Sequence, residues 1–270
     1  MEIPIPEIKH ILGDKAGLKD FYLLLQRRLE SRIPNLESKY PLPNVEDPNS
    51  IEAHIILRLI QQCNTIGKTC MILQDTASAF TLCRSLLDSF CSLKQVYFCD
   101  NPEERIFRHY LYLLDGFSIW HKVLTNEVHN HGQIPAELAQ QILHDAESMK
   151  SQLESCIDLC KKSIKQHPYY SRYQSFCDHA ITETAWQYKS FELNPKGRKK
   201  VRTYSWKDLY RMLDSRKIIS DTYSDFFSQF VHGLAVCSLF DTGNNDKSQM
   251  ILSTIVRIQY LIEEQLSTIL

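Results

Sequence analysis

The strongest constraint on this chain is a rhythm. Apolar residues recur three and four positions apart over long runs with few breakers between them. Ile55, Ile56, Leu59, Ile60, Cys63, Ile66 and Cys70 form one stripe, and Ala77, Phe80, Cys83, Leu86, Leu87, Phe90, Leu93 and Tyr97 a second. Ile106, Tyr110, Leu113, Leu114, Phe117 and Trp120 form a third, and Leu138, Ile142, Met149, Leu153, Cys156, Ile157, Cys160 and Ile164 a fourth. That spacing is the repeat of an α-helix with one apolar side. Such helices bury their stripes against one another, so the sequence predicts an all-α fold, a multi-helix bundle of long amphipathic helices. Six of the 10 Pro (Pro4, Pro6, Pro34, Pro41, Pro43 and Pro48) lie in the first 50 of the 270 residues. Residues 1–49 therefore read as an N-terminal helix and an irregular Pro-rich connector, and 50–270 as the bundle domain.

Local signals place the helix ends. A short helix is expected from Leu18 to about Arg32, and Ser50 reads as the cap of the next long one. The sharpest start is Asn101-Pro102-Glu103-Glu104, a capping side chain, a proline at the first helical position and two carboxylates on the positive helix end. Pro135 opens another long helix that stops before Pro168. Residues 169–190 read as weaker helix and 191–204 as a basic loop, and sustained strand alternation is nowhere evident. Ser205 caps a short helix to Leu213, and a further helix is expected over residues 221–240. The last helix aligns Ile251, Ile255, Ile258, Ile262, Leu266 and Ile269 in a near-heptad seam, which fits either the core or a homodimer contact through the C-terminal helix.

The formal net charge of −1 gives no global attraction to nucleic acid or anionic lipid, so any such binding needs a local patch. The Cys count, nine, is odd and no CxxC occurs, which favours reduced thiols over a disulfide framework. The opening MEIPIPEIKH lacks a basic start followed by an apolar stretch, and no segment approaches the ~18 apolar residues of a membrane span. The expectation is a cytoplasmic protein with no membrane partner.

Several polar groups sit where chemistry is possible. Arg84 and Asp88 lie one helical turn apart, either as a structural ion pair or as an arginine held by a carboxylate and aimed at an anion. Arg105 and His109 are likewise one turn apart. An imidazole exchanging protons near neutral pH beside a guanidinium suits phosphodiester chemistry, whereas pairing of Glu104 with Arg108 would make this a solvated face. His232 lies in an apolar run before Gly233, with Ser228 one turn earlier and Tyr223 upstream as orienting groups. It is the leading candidate acid/base, set against a packed core histidine. Lys196, Arg198, Lys199, Lys200 and Arg202 cluster between Tyr188, Tyr204 and Trp206, a local patch suited to holding a nucleic-acid backbone or simply a solvated loop. Glu127, His129 and His131 offer zinc-type ligands without a fourth, and Cys156 and Cys160 have no His pair nearby, so no metal and no cofactor is expected. Phosphate-loop, dinucleotide, serine-hydrolase and zincin signatures are absent.

The segments CRSLLDSFCSLKQVYFCDNPEERIFRHY and YSDFFSQFVHG resemble the bacterial family called domain of unknown function 5677, over about residues 50–240. That resemblance implies an all-helical bundle and no established reaction. A looser similarity is to the HEPN superfamily of helical bundles, many of them ribonucleases of toxin–antitoxin and phage-defence systems. Their signature separates an Arg from a His by four to six residues; here Arg105 and His109 have three between them.

Two functions follow. In one, the protein binds or cleaves RNA in bacterial stress or phage defence as a metal-independent ribonuclease. His232 or His109 is then the acid/base, Arg84 or Arg105 the charge stabiliser, and Lys196–Arg202 the backbone grip. In the other, it is a non-catalytic helical module that binds a ligand or regulates a protein partner. The first requires the polar groups to converge in a cleft; the second requires an exposed apolar face.

Overall fold

Breaker-poor sequence gives long helices in the computed structural model, which describes residues 17–73, 75–127, 135–193, 199–213, 225–226 and 245–269. Among the described residues the fold is all-α apart from one small hairpin. Its elements are α1 (Leu18–Glu30), α2 (Ile33–Lys39), α3 (Pro48–Lys68), a π-helical turn (Thr69–Leu73), α4 (Thr76–Tyr97), α5 (Pro102–Glu127), α6 (Ala136–Gln166), α7 (Pro168–Thr182), β1 (Tyr188–Leu193), β2 (Lys199–Thr203), α8 (Trp206–Leu213) and α9 (Asn245–Ile269). Two compact units divide it: residues 1–94 with 205–270, and residues 95–204. The leading segment 1–49 falls in unit 1 together with residues 50–94.

Unit 1 buries the stripes of α1, α3, α4 and α9. Leu25, Leu29, Leu59, Ile66, Cys83, Leu86, Leu87, Ile251, Ile255 and Ile258 have no exposed surface. Helix α9 lies along α1, where the buried Gln259 donates to Gln26 Oε1 at 2.8 Å and Arg32 pairs with Glu263 at 2.9 Å. From Ile251 to Leu266 the seam of α9 is thus core, the first of the two readings open to it, and this corrects the alternative of a homodimer contact through those residues. Its seam is already filled by its own chain. At Gly67 of α3 the α1 side chain Tyr22 lies against the backbone: any Cβ there would run into its phenol. Glycine is the residue that fits.

The start of α3 corrects another expectation. Its cap is Asp47, whose Oδ1 accepts from the Asn49 N–H at 2.9 Å, with Pro48 at the first helical position. Ser50 is buried instead. Its hydroxyl accepts from Asn44 N–H at 3.0 Å and donates to Leu42 C=O at 3.2 Å, pinning the Pro-rich connector. Two other starts form as expected. Asn101 Oδ1 accepts from the N–H groups of Glu103 (3.0 Å) and Glu104 (3.3 Å). Ser205 and Asp208 cap one another reciprocally at 3.2 and 3.0 Å.

In unit 2, α5 and α6 pack side by side, joined across by His121 Nε2 and Glu154 Oε1 at 2.9 Å. At one end α7 and the hairpin close over α5, around Phe107, whose ring neighbours are His167, Tyr169, Phe176 and Tyr188. The buried side of α5 is Phe107, Leu111 and Leu114; Ile106 and Trp120 point out. On α6 only Cys160 and Ile164 of the expected stripe are fully buried, and Leu138, Ile142 and Met149 are exposed.

The hairpin replaces the basic loop expected over 191–204. Strands β1 and β2 pair antiparallel, with Phe191 opposite Val201, Glu192 opposite Lys200 and an irregularity between Tyr188 and Ser190. Val201 is buried while Arg202 beside it is exposed, the two-residue alternation of a half-buried strand. A run of cations hid that alternation in the sequence. Among the described residues no helix is long and apolar enough to cross a membrane.

Candidate functional site

The candidate polar residues fold into three local arrangements. In unit 1, Arg84 Nε donates to Asp88 Oδ2 at 2.9 Å, the Tyr210 hydroxyl donates to Asp88 Oδ1 at 2.7 Å, and the guanidinium lies 5.3 Å from the Tyr210 ring centroid. Burial works against the Arg84 charge, but the Asp88 hydrogen bond and the nearby negative groups outweigh it and raise the arginine pKa. Burial, then the Asp88 carboxylate, pushes the Tyr210 phenol far above its ordinary range, so it stays a donor. Arg84 and Asp88 are the predicted pair; Tyr210, 122 residues away in sequence, carried no signal that would link it to them.

In unit 2, His109 has no exposed surface. Its Nδ1 is 3.0 Å from the Tyr97 hydroxyl, and the Tyr97 and Tyr110 rings meet it edge-on. Arg105 donates from Nε to the Tyr97 carbonyl at 3.1 Å and stacks over the Tyr97 ring. Tyr97 thus organises both residues. An acid/base must reach a phosphodiester, and a ring sealed in this way is a packed, hydrogen-bonded core group.

The third arrangement was missed. Arg108, expected on a solvated face, is buried. It donates to Glu104 Oε1 from Nη2 (2.7 Å) and Nε (3.0 Å), and from Nη1 to the carbonyls of Trp186 and Tyr188, each at 3.2 Å. Its guanidinium stacks 3.9 Å from the Tyr188 ring centroid, and the Tyr188 hydroxyl donates to Glu104 at 3.2 Å. Close by in sequence, Thr184 and Trp186 donate to the two oxygens of Asp115 at 2.9 and 3.1 Å. Thr184 adopts a left-handed φ of 45° within this corner. The Glu104–Arg108 spacing was visible in sequence, but the carbonyls that bury the arginine were not.

Tyr223, Ser228 and His232 lie outside the described residues, as do Lys196 and Arg198. Lys199 and Lys200 are on β2, opposite Leu193 and Glu192, and Arg202 stands exposed opposite Ser190. Arg84 and Asp88 belong to unit 1, Arg105 and His109 to unit 2. His129 and His131 fall outside the described residues, and among those described no three His, Cys, Asp or Glu side chains group as a metal site. The eight described cysteines are free thiols. Burial raises Cys63 and Cys160 to about 12 and Cys177 to about 11, so they remain protonated and unreactive.

Several large apolar side chains are exposed as well. On α5, Ile119 (55%), Trp120 (60%) and Val123 (50%) are exposed, and on α6 so are Leu138 (51%), Ile142 (45%) and Met149 (43%). Compared with known proteins, the chain matches no family model, no curated protein and no solved structure.

Proposed function

We propose that this protein is a non-catalytic helical module whose α5–α6 arm docks a protein partner. One observation carries the reading: six large apolar side chains, none buried, project from that single pair of helices. The polar candidates supply the other half of the argument. Arg84, Arg105, Arg108 and His109 each hold a neighbouring element through hydrogen bonds and ring stacking. Such groups position structure, whereas an acid/base for RNA needs contact with the substrate.

A photo-crosslinking residue in place of Ile142 tests the reading in cells. The expected result is a discrete protein adduct that is absent when the same residue replaces Leu42, an isolated exposed side chain on the connector. RNA cleavage by the purified protein that disappears in His232→Ala would overturn the reading in favour of the ribonuclease.

A further inference from the structure

The outer face of α5 has the composition of a self-pairing seam. Tyr112, Gly116, Ile119 and Val123 follow one another at spacings of four, three and four, with Trp120 beside them. At its start the seam is only partly covered, because Tyr112, half-buried, packs edge-on against Trp186. Beyond that, Ile119, Trp120 and Val123 are exposed, and a Cβ built on Gly116 would meet nothing within 4 Å. A glycine in the middle of a helix weakens it, and here no neighbour among the described residues requires one.

We propose that this face pairs with the same face of a second copy, the two α5 helices running antiparallel about a two-fold axis near residues 117 and 118. The inference rests on the reading of the arm as a docking surface and names its occupant. Three features favour self-pairing in this direction. The first is shape: antiparallel alignment sets Ile119 of one copy into the gap left by Gly116 of the other, Val123 against Tyr112, and Trp120 over Leu113. Every contact occurs twice, as an isologous interface requires. The second is charge. Asp115 and Lys122 are seven residues apart and flank the seam on the same side. Antiparallel pairing brings Asp115 of each copy beside Lys122 of the other, giving two ion pairs of opposite sign, whereas parallel pairing would set Asp115 against Trp120. Asp115 already accepts from Thr184 and Trp186, which fixes its carboxylate while leaving acceptor capacity on both oxygens.

The third feature is size. Covering this face on both copies removes on the order of 1,000 Å² from water, near the lower limit of specific interfaces. The dimer is therefore a weak one, with a dissociation constant on the order of 10–100 μM. Its strength lies in Trp120, the kind of residue that dominates small interfaces.

Sedimentation velocity of the full chain from about 1 to about 500 μM, a range that brackets this affinity, is the test. The expected result is reversible dimerisation, weakened about tenfold or more by Trp120→Glu, by Lys122→Asp and by Gly116→Leu. The last variant is the sharpest. It adds a helix-favouring side chain where the single chain has room, so the melting temperature holds or rises while the dimer is lost. A chain that stays monomeric throughout, or a dimer indifferent to all three substitutions, overturns the proposal. A monomer with no ribonuclease activity would leave the docking reading in place with a different protein on the arm; cleavage lost in His232→Ala would remove that reading itself.

Discussion

The two units solve the same problem with the same three groups. In unit 1 an arginine (Arg84) and a carboxylate one turn away (Asp88) are closed by a tyrosine (Tyr210) that donates to the carboxylate and lies beneath the guanidinium. In unit 2 Arg108, Glu104 and Tyr188 repeat the device. In each, the tyrosine comes from a distant part of the same unit, so the cluster is a clamp between elements. In the second clamp the Arg108 guanidinium holds the Trp186 and Tyr188 carbonyls as well, and it sits closer to its ring, 3.9 Å against 5.3 Å for Arg84. An Arg–acid pair at helical spacing, open in sequence to a structural or a chemical reading, is here a way of fastening a remote segment to a helix.

The largest expected effect tests that difference. Arg108→Ala leaves Glu104 and two buried carbonyls without their donor and should destabilise unit 2 by about 3–5 kcal/mol. Arg84→Ala leaves Asp88 still bound by the Tyr210 hydroxyl and should lower stability by about 2 kcal/mol. Hydrogen exchange at β1 and α8 amides measures the two separately. A loss at β1 no larger than that of an exposed ion pair, under about 1 kcal/mol, would show that the two carbonyls add nothing to the hold on Arg108.

A smaller effect asks where the clamps are alike. Tyr188→Phe and Tyr210→Phe each remove one hydroxyl donated to a carboxylate while keeping the ring under the guanidinium. Each should be destabilising by about 1.5 kcal/mol, the value of a hydrogen bond to a charged group. Denaturant unfolding of the two variants checks this. A large inequality would mean that the resemblance between the clamps stops at their geometry.

Sequence showed the local half of these structures and hid the distant half. The Asn101–Pro102 cap, the Ser205–Asp208 cap and the breaker-poor helices were legible because each depends on residues within a turn of one another. The Asp47–Pro48 start has the same form as Asn101–Pro102, yet Ser50, a good capping residue three positions on, drew the boundary away. The hairpin escaped because Lys199, Lys200 and Arg202 read as solvated charge, and the one apolar residue among them, Val201, gave too little periodicity. Tyr188 and Tyr210 escaped because a clamp closes through tertiary contact. The seams of α5 and α9 look alike in sequence, but α9 is filled by α1 and the outer face of α5 is not. Which stripe finds a partner depends on topology, which helical periodicity does not encode.

The smallest effect distinguishes the units by pH. His167 caps α7: its Nδ1 accepts from the Tyr169 N–H at 3.2 Å, and its ring packs on Phe107. Accepting that bond requires the neutral ring. Burial lowers the His167 pKa below the usual 6.5, although the Glu103 carboxylate pulls the other way. On acidification the unfolded chain therefore takes up this proton before the folded one does. Stability from His167 is complete above about pH 6.5, falls as pH drops toward the lowered folded value, and is constant below it. The loss belongs to unit 2, where α7 covers Phe107. His167→Asn keeps a good capping side chain that does not titrate in this range, so it should flatten the acid limb of the melting curve while leaving the neutral melting temperature nearly unchanged. If the wild-type protein and the His167→Asn variant keep the same slope between about pH 6.5 and about pH 5, the proton is taken up elsewhere and the cap is insensitive to acid.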